Sequence, residues 1–292
     1  MATTWQNAAP RPQTGGRPAR RLPRAVGFAL APVLTVFCAF WLIPFGYLVV
    51  LGSTPDNSTG LNAYWTVLTH PTYLQSLGIT LLLSASVALA AVAIATVVAC
   101  FLARQCFAGK GLLLALLTFP LAFPGVVVGF LIIMLGGRQG LFAQLGAATV
   151  GERWSFAYSL SGLFLGYLYF SIPRVIMTLM AACEKLDRSL EEAARSLGAG
   201  NGRIVRDVIL PGLAPALLSS LALCFATSMG AFGTAFTLGT DLNVLPLSIY
   251  GEFTNYANFA TAAALSVLLG LVTWAALLLA RRLSGATLEA PL

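Results

Sequence analysis

The side chains able to do chemistry in this chain are few, and most are charges or hydroxyls set into apolar sequence. Arg174 follows Pro173 inside a long uncharged run. A guanidinium at that depth is costly and is a functional hypothesis by default, here one of charge recognition. The bland alternative is that it snorkels or pairs with a carbonyl freed by Pro173. Thr227, Ser228, Met229, Gly230, Ala231, Phe232, Gly233 and Thr234 place two glycines, hydroxyls and an aromatic in another apolar run. That mixture suits a flexible, partly polar pore lining, and it equally suits close helix packing. The third group is the polar stretch Ser189–Pro211, SLEEAARSLGAGNGRIVRDVILP.

Other chemistry is poorly supplied. The chain has one histidine, His70, without a Cys or His partner nearby in sequence. Its five cysteines, Cys38, Cys100, Cys106, Cys183 and Cys224, form no C-x-x-C pair and read as small buried hydrophobes. No metal site is expected. A nucleotide-binding loop needs G-x-x-x-x-G-K-[ST] so that backbone amides cradle phosphates. The nearest fragment, Gly109-Lys110, has Arg104 at the first glycine position and Gly111 at the hydroxyl position. No cofactor is expected on this chain.

Composition sets the class. Of 292 residues, 58% are hydrophobic and 9% charged, against about 25% charged in soluble domains. This much apolar surface cannot be hidden in a core of ordinary size, so the chain reads as an all-α integral membrane protein. Net charge +7 does not imply nucleic acid, because the arginines flank apolar runs and form no basic face with interleaved aromatics.

Six runs are long enough to cross a bilayer, which takes roughly 20 residues. They cover 25–51, 76–103, 111–137, 155–183, 212–239 and 258–280. The first follows a Pro- and Arg-rich tail, 1–24, expected to be disordered. It is too long for a signal-peptide core and is read as an uncleaved span. Pro32 and Pro44 should bend it, and Pro120 and Pro124 should break the third run. Gly125/Gly129 and Gly162/Gly166 have the G-x-x-x-G spacing of close helix packing. Fourteen of the 17 Lys and Arg residues fall on one side of these runs, in the tail, at Arg104 and Lys110, from Lys185 to Arg206, and at Arg281 and Arg282. Only Arg138 and Arg153 fall on the other. The asymmetry puts both termini and the 189–211 loop in the cytoplasm. Asp241 and Glu252 then lie in an external loop.

The local reading of 189–211 is a helix, a glycine elbow and a second short helix outside the bilayer. Ser189 and Glu192 have capping-box spacing. Glu191 and Arg195 are placed for an i,i+4 ion pair. Gly198 suits the left-handed residue after a helix end, and Asn201 can cap the second helix. Glu192 is left with two jobs, reaching back to its own helix start or meeting a partner.

The same stretch resembles the EAA loop of permease subunits in binding-protein-dependent ABC importers. Glu192, Ala193, Ala194, Gly198, Leu210 and Pro211 stand at the pattern's positions, with Val208 in place of isoleucine. The extended form begins at Glu191. The resemblance is strong over 76–280 and absent in the tail. It implies a type I ABC importer permease fold: a first span over 25–51 and a core domain over 76–282, with 189–211 coupling to the ATPase. Glu191, Glu192, Ala193, Ala194, Gly198, Leu210 and Pro211 would form the docking surface. The 227–234 segment is similar to an S-x-G-x-F-G stretch of importers of polyamines, oxyanions, ferric iron and phosphonates. That makes Thr227, Ser228, Met229, Phe232 and Thr234 candidate pathway residues. The implied partners are a cytoplasmic ATPase dimer holding ATP and Mg, a second permease, an external solute-binding protein and membrane lipid. The implied location is a bacterial inner membrane. The competing classes are a passive channel and a membrane-embedded enzyme. Neither explains the loop pattern, and an enzyme would need an intramembrane catalytic cluster, which one His and no intramembrane Asp do not supply.

Overall fold

The computed structural model describes residues 24–53, 61–239 and 242–289, with side chains from 31 to 283. The expected tail lies outside these residues except for Arg24, and so does Asp241. The described residues contain helices and turns only.

The chain divides into a unit up to Tyr47 and a second from Leu48 onward. Helices α1 (Arg24–Phe37) and α2 (Ile43–Ser53) are joined by a π-turn at Cys38–Leu42. In the first unit Phe37, Trp41 and Phe45 stack at i,i+4 spacing, with ring centroids 5.1 and 5.6 Å apart. The second unit holds α3 (Asn62–Thr69) and the 34-residue α4 (Pro71–Arg104), followed by α5 (Lys110–Thr118). Next come α6 (Gly125–Gly136), α7 (Leu141–Thr149) and α8 (Leu160–Lys185). Then α9 (Arg188–Ser196) and α10 (Asn201–Ile204) precede α11 (Leu210–Met229) and α12 (Phe232–Leu238). The last two are α13 (Leu245–Thr254) and α14 (Phe259–Glu289).

Among the described residues six helical stretches are long and apolar enough to cross a membrane. Two of them depart from expectation. The run 111–137 is not one helix. A 3₁₀ turn at Phe119–Ala122 follows α5, and Phe123 and Pro124 are extended before α6 begins. Pro124 cannot donate to a helix, and it forces the residue before it out of α geometry. The long stretch that results is Gly125–Thr149, with Lys110–Ala122 as a shorter apolar helix.

The run 212–239 differs at both ends. It begins earlier, because α10, a π-turn at Val205–Ile209 and α11 form one stretch, Asn201–Met229. The short second helix expected after the elbow is therefore continuous with α11 rather than separate from it. A mid-helix proline removes a hydrogen bond and collides with the carbonyl four residues back. Widening one turn to i→i+5 bonding relieves this. The Leu210 N–H accordingly bonds to the Val205 carbonyl, directly before Pro211. The same device precedes Pro44, where the Ile43 N–H bonds to the Cys38 carbonyl. At the other end, α11 stops at Met229 and α12 restarts at Phe232.

The core is built where α4, α8 and α11 meet. Ala88, Ala91, Ala95 and Ala99 are buried along one face of α4, and residues this small let helices approach closely. Leu163, Val175, Ile176, Leu179 and Cys183 of α8 belong to the same cluster. The opposite faces expose Leu82 and Val97 at 75% and 72%, as expected of side chains whose solvent is lipid. Gly129 of α6 meets α12 so closely that an added Cβ would stand 2.5 Å from Thr237. Gly166 of α8 approaches Thr234 in the same way. Both glycines at the ends of the two G-x-x-x-G pairs are thus contact points.

Candidate functional site

Two features outside the packed core could carry function: the loop around α9 and a cavity between the apolar helices α6, α8, α11 and α12.

The loop starts at Asp187, not Ser189. Asp187 is the N-cap of α9, and its Oδ1 accepts the Ser189 N–H at 2.9 Å. That bond holds the Asp187 carboxyl below the usual carboxylate range. A lowered pKa means the cap is fully made at neutral pH and is lost as pH falls through the folded-state value. The N-cap therefore lies two residues before the expected Ser189, and Glu192 stays exposed and free for contact. Asp and Ser are equally good caps, so the two were indistinguishable by residue type.

α9 ends in a Schellman motif. The Ala199 N–H bonds to the Ala194 carbonyl at 3.0 Å and the Gly198 N–H to the Arg195 carbonyl at 2.9 Å. Gly198 has φ +80°, and a Cβ there would meet nothing within 4 Å. Asn201 does not cap the next helix: Gly200 is its N-cap, without a side-chain bond.

Glu191 does not pair with Arg195. Its carboxylate forms an ion pair with Arg104, the last residue of α4. Both side chains are largely buried, at 21% and 12% exposure. The pair fastens α9 to the end of a core helix. Arg104, Arg188, Glu191, Glu192 and Arg195 surround a charged recess of about 290 Å³. Beside it Leu190 and Leu197 are exposed at 56% and 88%, and Ala193 is exposed as well. Ala194 is half-buried, Leu210 is exposed, and Pro211 lies in the first turn of α11. The loop thus presents an apolar and charged surface on a fixed base.

The cavity holds about 500 Å³. Arg174, Phe170, Thr227 and Thr234 line it, with Gly125 and Val126 at the start of α6 and Gly230 and Ala231 at the break after α11. Three hydrogen bonds hold its walls. Tyr167 donates from its hydroxyl to the Ala231 carbonyl at 2.7 Å, meeting an acceptor that the break removes from regular helix. Thr234 donates to the Gly125 carbonyl at 3.0 Å, and Thr237 to the Val126 carbonyl at 3.3 Å. Arg174 is half-buried near the middle of α8, where insertion scales put its cost at about 2.5–3.5 kcal/mol.

Of the residues expected along a pathway, Thr227 and Thr234 border this cavity together with Arg174. Ser228 and Met229 are wholly buried. Phe232 lines a different, apolar cavity and packs against Phe236 and Tyr250 at 5.2 and 5.3 Å. Sequence reasoning missed Arg104, Tyr167 and Asp187. Arg104 read as a topological charge, Tyr167 was not singled out from its apolar run, and only Asp187, two residues before Ser189, carried a usable signal.

Comparison with known proteins places both features inside a shared region. Residues 95–285 match the family model described as binding-protein-dependent transport system inner membrane component. The chain is 35% identical over 205 residues to chloroplastic sulfate permease 2 of Chlamydomonas reinhardtii, which is 68% of this chain and 55% of that protein. It therefore spans about half the length of that relative. It is 31% identical over 255 residues to a probable molybdenum ABC transporter permease of Haloferax volcanii, 87% of this chain and 88% of that one. The fold is similar to that of a bacterial alginate ABC transporter solved with its alginate pentasaccharide-bound periplasmic protein, with TM-score 0.76 over 92% of this chain and 96% of that chain. Identity there is 16%, so that likeness is one of fold.

Proposed function

This chain belongs to the family of binding-protein-dependent transport system inner membrane components, and from that premise we propose how it couples and what it carries. It is a multi-pass permease subunit of an ABC importer. We read α9 and the elbow after it as the docking surface for a cytoplasmic ATPase dimer, which would hold the ATP and Mg. The observation that carries this reading is the α9 surface itself. Leu190, Ala193 and Leu197 are exposed outside the spans, while Arg104 and Glu191 anchor the same helix to α4. An exposed apolar patch on a rigidly held base marks a contact surface. The permease would form the pathway with a second permease, the same chain or a related one, and receive solute from an external binding protein.

A tetrahedral oxyanion such as sulfate or molybdate is the proposed solute. The two relatives described above are named for sulfate and molybdenum, and the cavity here is lined by a cation and no carboxylate.

The complete complex, reconstituted with its ATPase and binding protein, is expected to take up labelled sulfate or molybdate only with ATP, and the ATPase is expected to co-purify with the permease. Uptake that proceeds without ATP would return the passive channel. Orientation is tested separately. The fourteen-to-two basic asymmetry predicts that a reporter fused after Leu197 reads as cytoplasmic and one after Gly151 as external. The reverse pattern would remove the ATPase from reach of α9.

A further inference from the structure

Arg174 is a permanent cation, and the protein around its cavity supplies no charge to balance it. Helices α6, α11 and α12 contain no Asp or Glu, and on α8 the nearest is Glu184, ten residues away. Ten residues of helix are about 15 Å, so Glu184 stands nearly three turns along the axis. Among the described residues the ion pairs are Arg104–Glu191 and Arg206–Asp207, and neither involves Arg174. A charge at membrane depth is retained where it meets a partner or a water-filled space. Here the space is present as the 500 Å³ cavity, and among the described residues no carboxylate lines it.

The rest of the lining selects the sign of the missing partner. Gly125 and Val126 border the cavity at the first turn of the 12-residue α6, the positive end of its dipole. Thr227 and Thr234 already donate their hydroxyl protons to backbone carbonyls, Thr227 to Leu223 and Cys224 and Thr234 to Gly125. Their protons are therefore engaged, and Arg174 is the charged donor facing the space. A cationic solute would meet a guanidinium and a helix N-terminus, both repulsive.

We propose that Arg174 is the recognition residue of a transient anion site in this cavity, taking a doubly charged tetrahedral oxyanion on its way through the membrane. The proposal rests on the transport reading above and extends it to one residue of this chain. Recognition at this point is brief by design, because a site that binds tightly does not release.

The test uses the complete transporter in proteoliposomes. The five native cysteines are replaced by alanine and one new thiol is introduced by Thr227→Cys. Anionic and cationic methanethiosulfonate reagents of similar size then report the local field. The ratio of anionic to cationic modification rates is expected to fall about tenfold in Arg174→Gln and to persist in Arg174→Lys, since a cation-lined cleft concentrates anions about tenfold or more. A purely structural arginine would not move this ratio. Sulfate, at constant ionic strength, should slow the anionic reagent with Arg174 present. If the ratio is the same with and without the charge, or sulfate gives no protection, the anion site is overturned. If Arg174→Gln does not assemble, sulfate protection of the Arg174 protein decides by itself. Uptake separates the two readings. Should the Arg174 transporter carry neither sulfate nor molybdate while the ratio still depends on Arg174, the oxyanion reading of the transporter fails and the anion site stands. Should it carry them, and Arg174→Gln carry them equally well, the site fails and the transport reading stands.

Discussion

In a complex carrying Gly198→Asp, solute uptake is expected to fall roughly tenfold or more, the consequence of losing about 1.4 kcal/mol or more at a central docking contact. The spans should still insert at normal levels, because the lesion lies outside them. Gly198 sits at φ +80° with open space where its Cβ would be. No clash arises within the chain, so the internal cost is backbone strain of about 1–2 kcal/mol. Asp also puts a negative charge at the C-terminal end of α9, unfavourable by about 0.3–1 kcal/mol. The open space is the space a docking partner would fill, and a charged side chain projecting into it obstructs the fit. Gly198→Asn separates the effects, since asparagine enters the left-handed region more readily than most residues and carries no charge. It should retain much of the uptake. ATPase co-purification and uptake at matched membrane levels are the measurements. Normal coupling by Gly198→Asp would mean that this elbow does not dock the ATPase.

The second large effect is expected from Glu191→Lys. It sets a lysine against Arg104 where the two side chains are 12% and 21% exposed. Two cations then share a poorly solvated recess that also contains Arg188 and Arg195. Losing one member of a fully buried pair costs about 3–5 kcal/mol, and this partly hydrated site should show less. α9 is expected to detach from the end of α4, increasing protease cleavage in the loop and lowering ATPase co-purification. The exchange Arg104→Glu with Glu191→Lys should restore both, with a coupling energy of roughly 0.5–3 kcal/mol. Glu192→Ala is the contrast. Its carboxylate is exposed and lies outside the Arg104 pair, so the loop should stay in place and any loss should appear in ATPase contact alone. If the exchanged pair behaves like Glu191→Lys, the Arg104–Glu191 contact is not what holds α9.

Local and compositional properties were legible in the sequence because local physics decides them. A 9% charged chain cannot fold as a soluble domain, so the membrane class follows from solvation alone. The left-handed residue at 198 follows from a glycine after a helix-forming run, since few other residues enter that region without strain. The break at Pro124 was foreshadowed by its proline, although not its consequence for which segments make up a span, whereas the break near Gly230 in the run 212–239 was not expected. Pro211 was read as the residue before a span. The π-turn at Val205–Ile209 shows instead that the helix runs through it, because a widened turn is a cheaper answer to a proline than a break when the flanking residues favour helix.

Tertiary structure decided what depends on distance in space. Arg104 and Glu191 are 87 positions apart, and no periodicity announces that α4 ends beside α9. Tyr167 found its acceptor at Ala231 only because α8 packs across the break after α11. The fifth span's candidate pathway residues were chosen by type, yet type does not say which helix face meets the cavity. Thr227 and Thr234 reach it, while Met229 turns into the core and Phe232 into an aromatic cluster. Arg174 stood out in the sequence as a costly charge. That it borders an aqueous-sized space with no carboxylate around it required α6, α8, α11 and α12 to be brought together, because charge balance belongs to a volume and not to a stretch of chain.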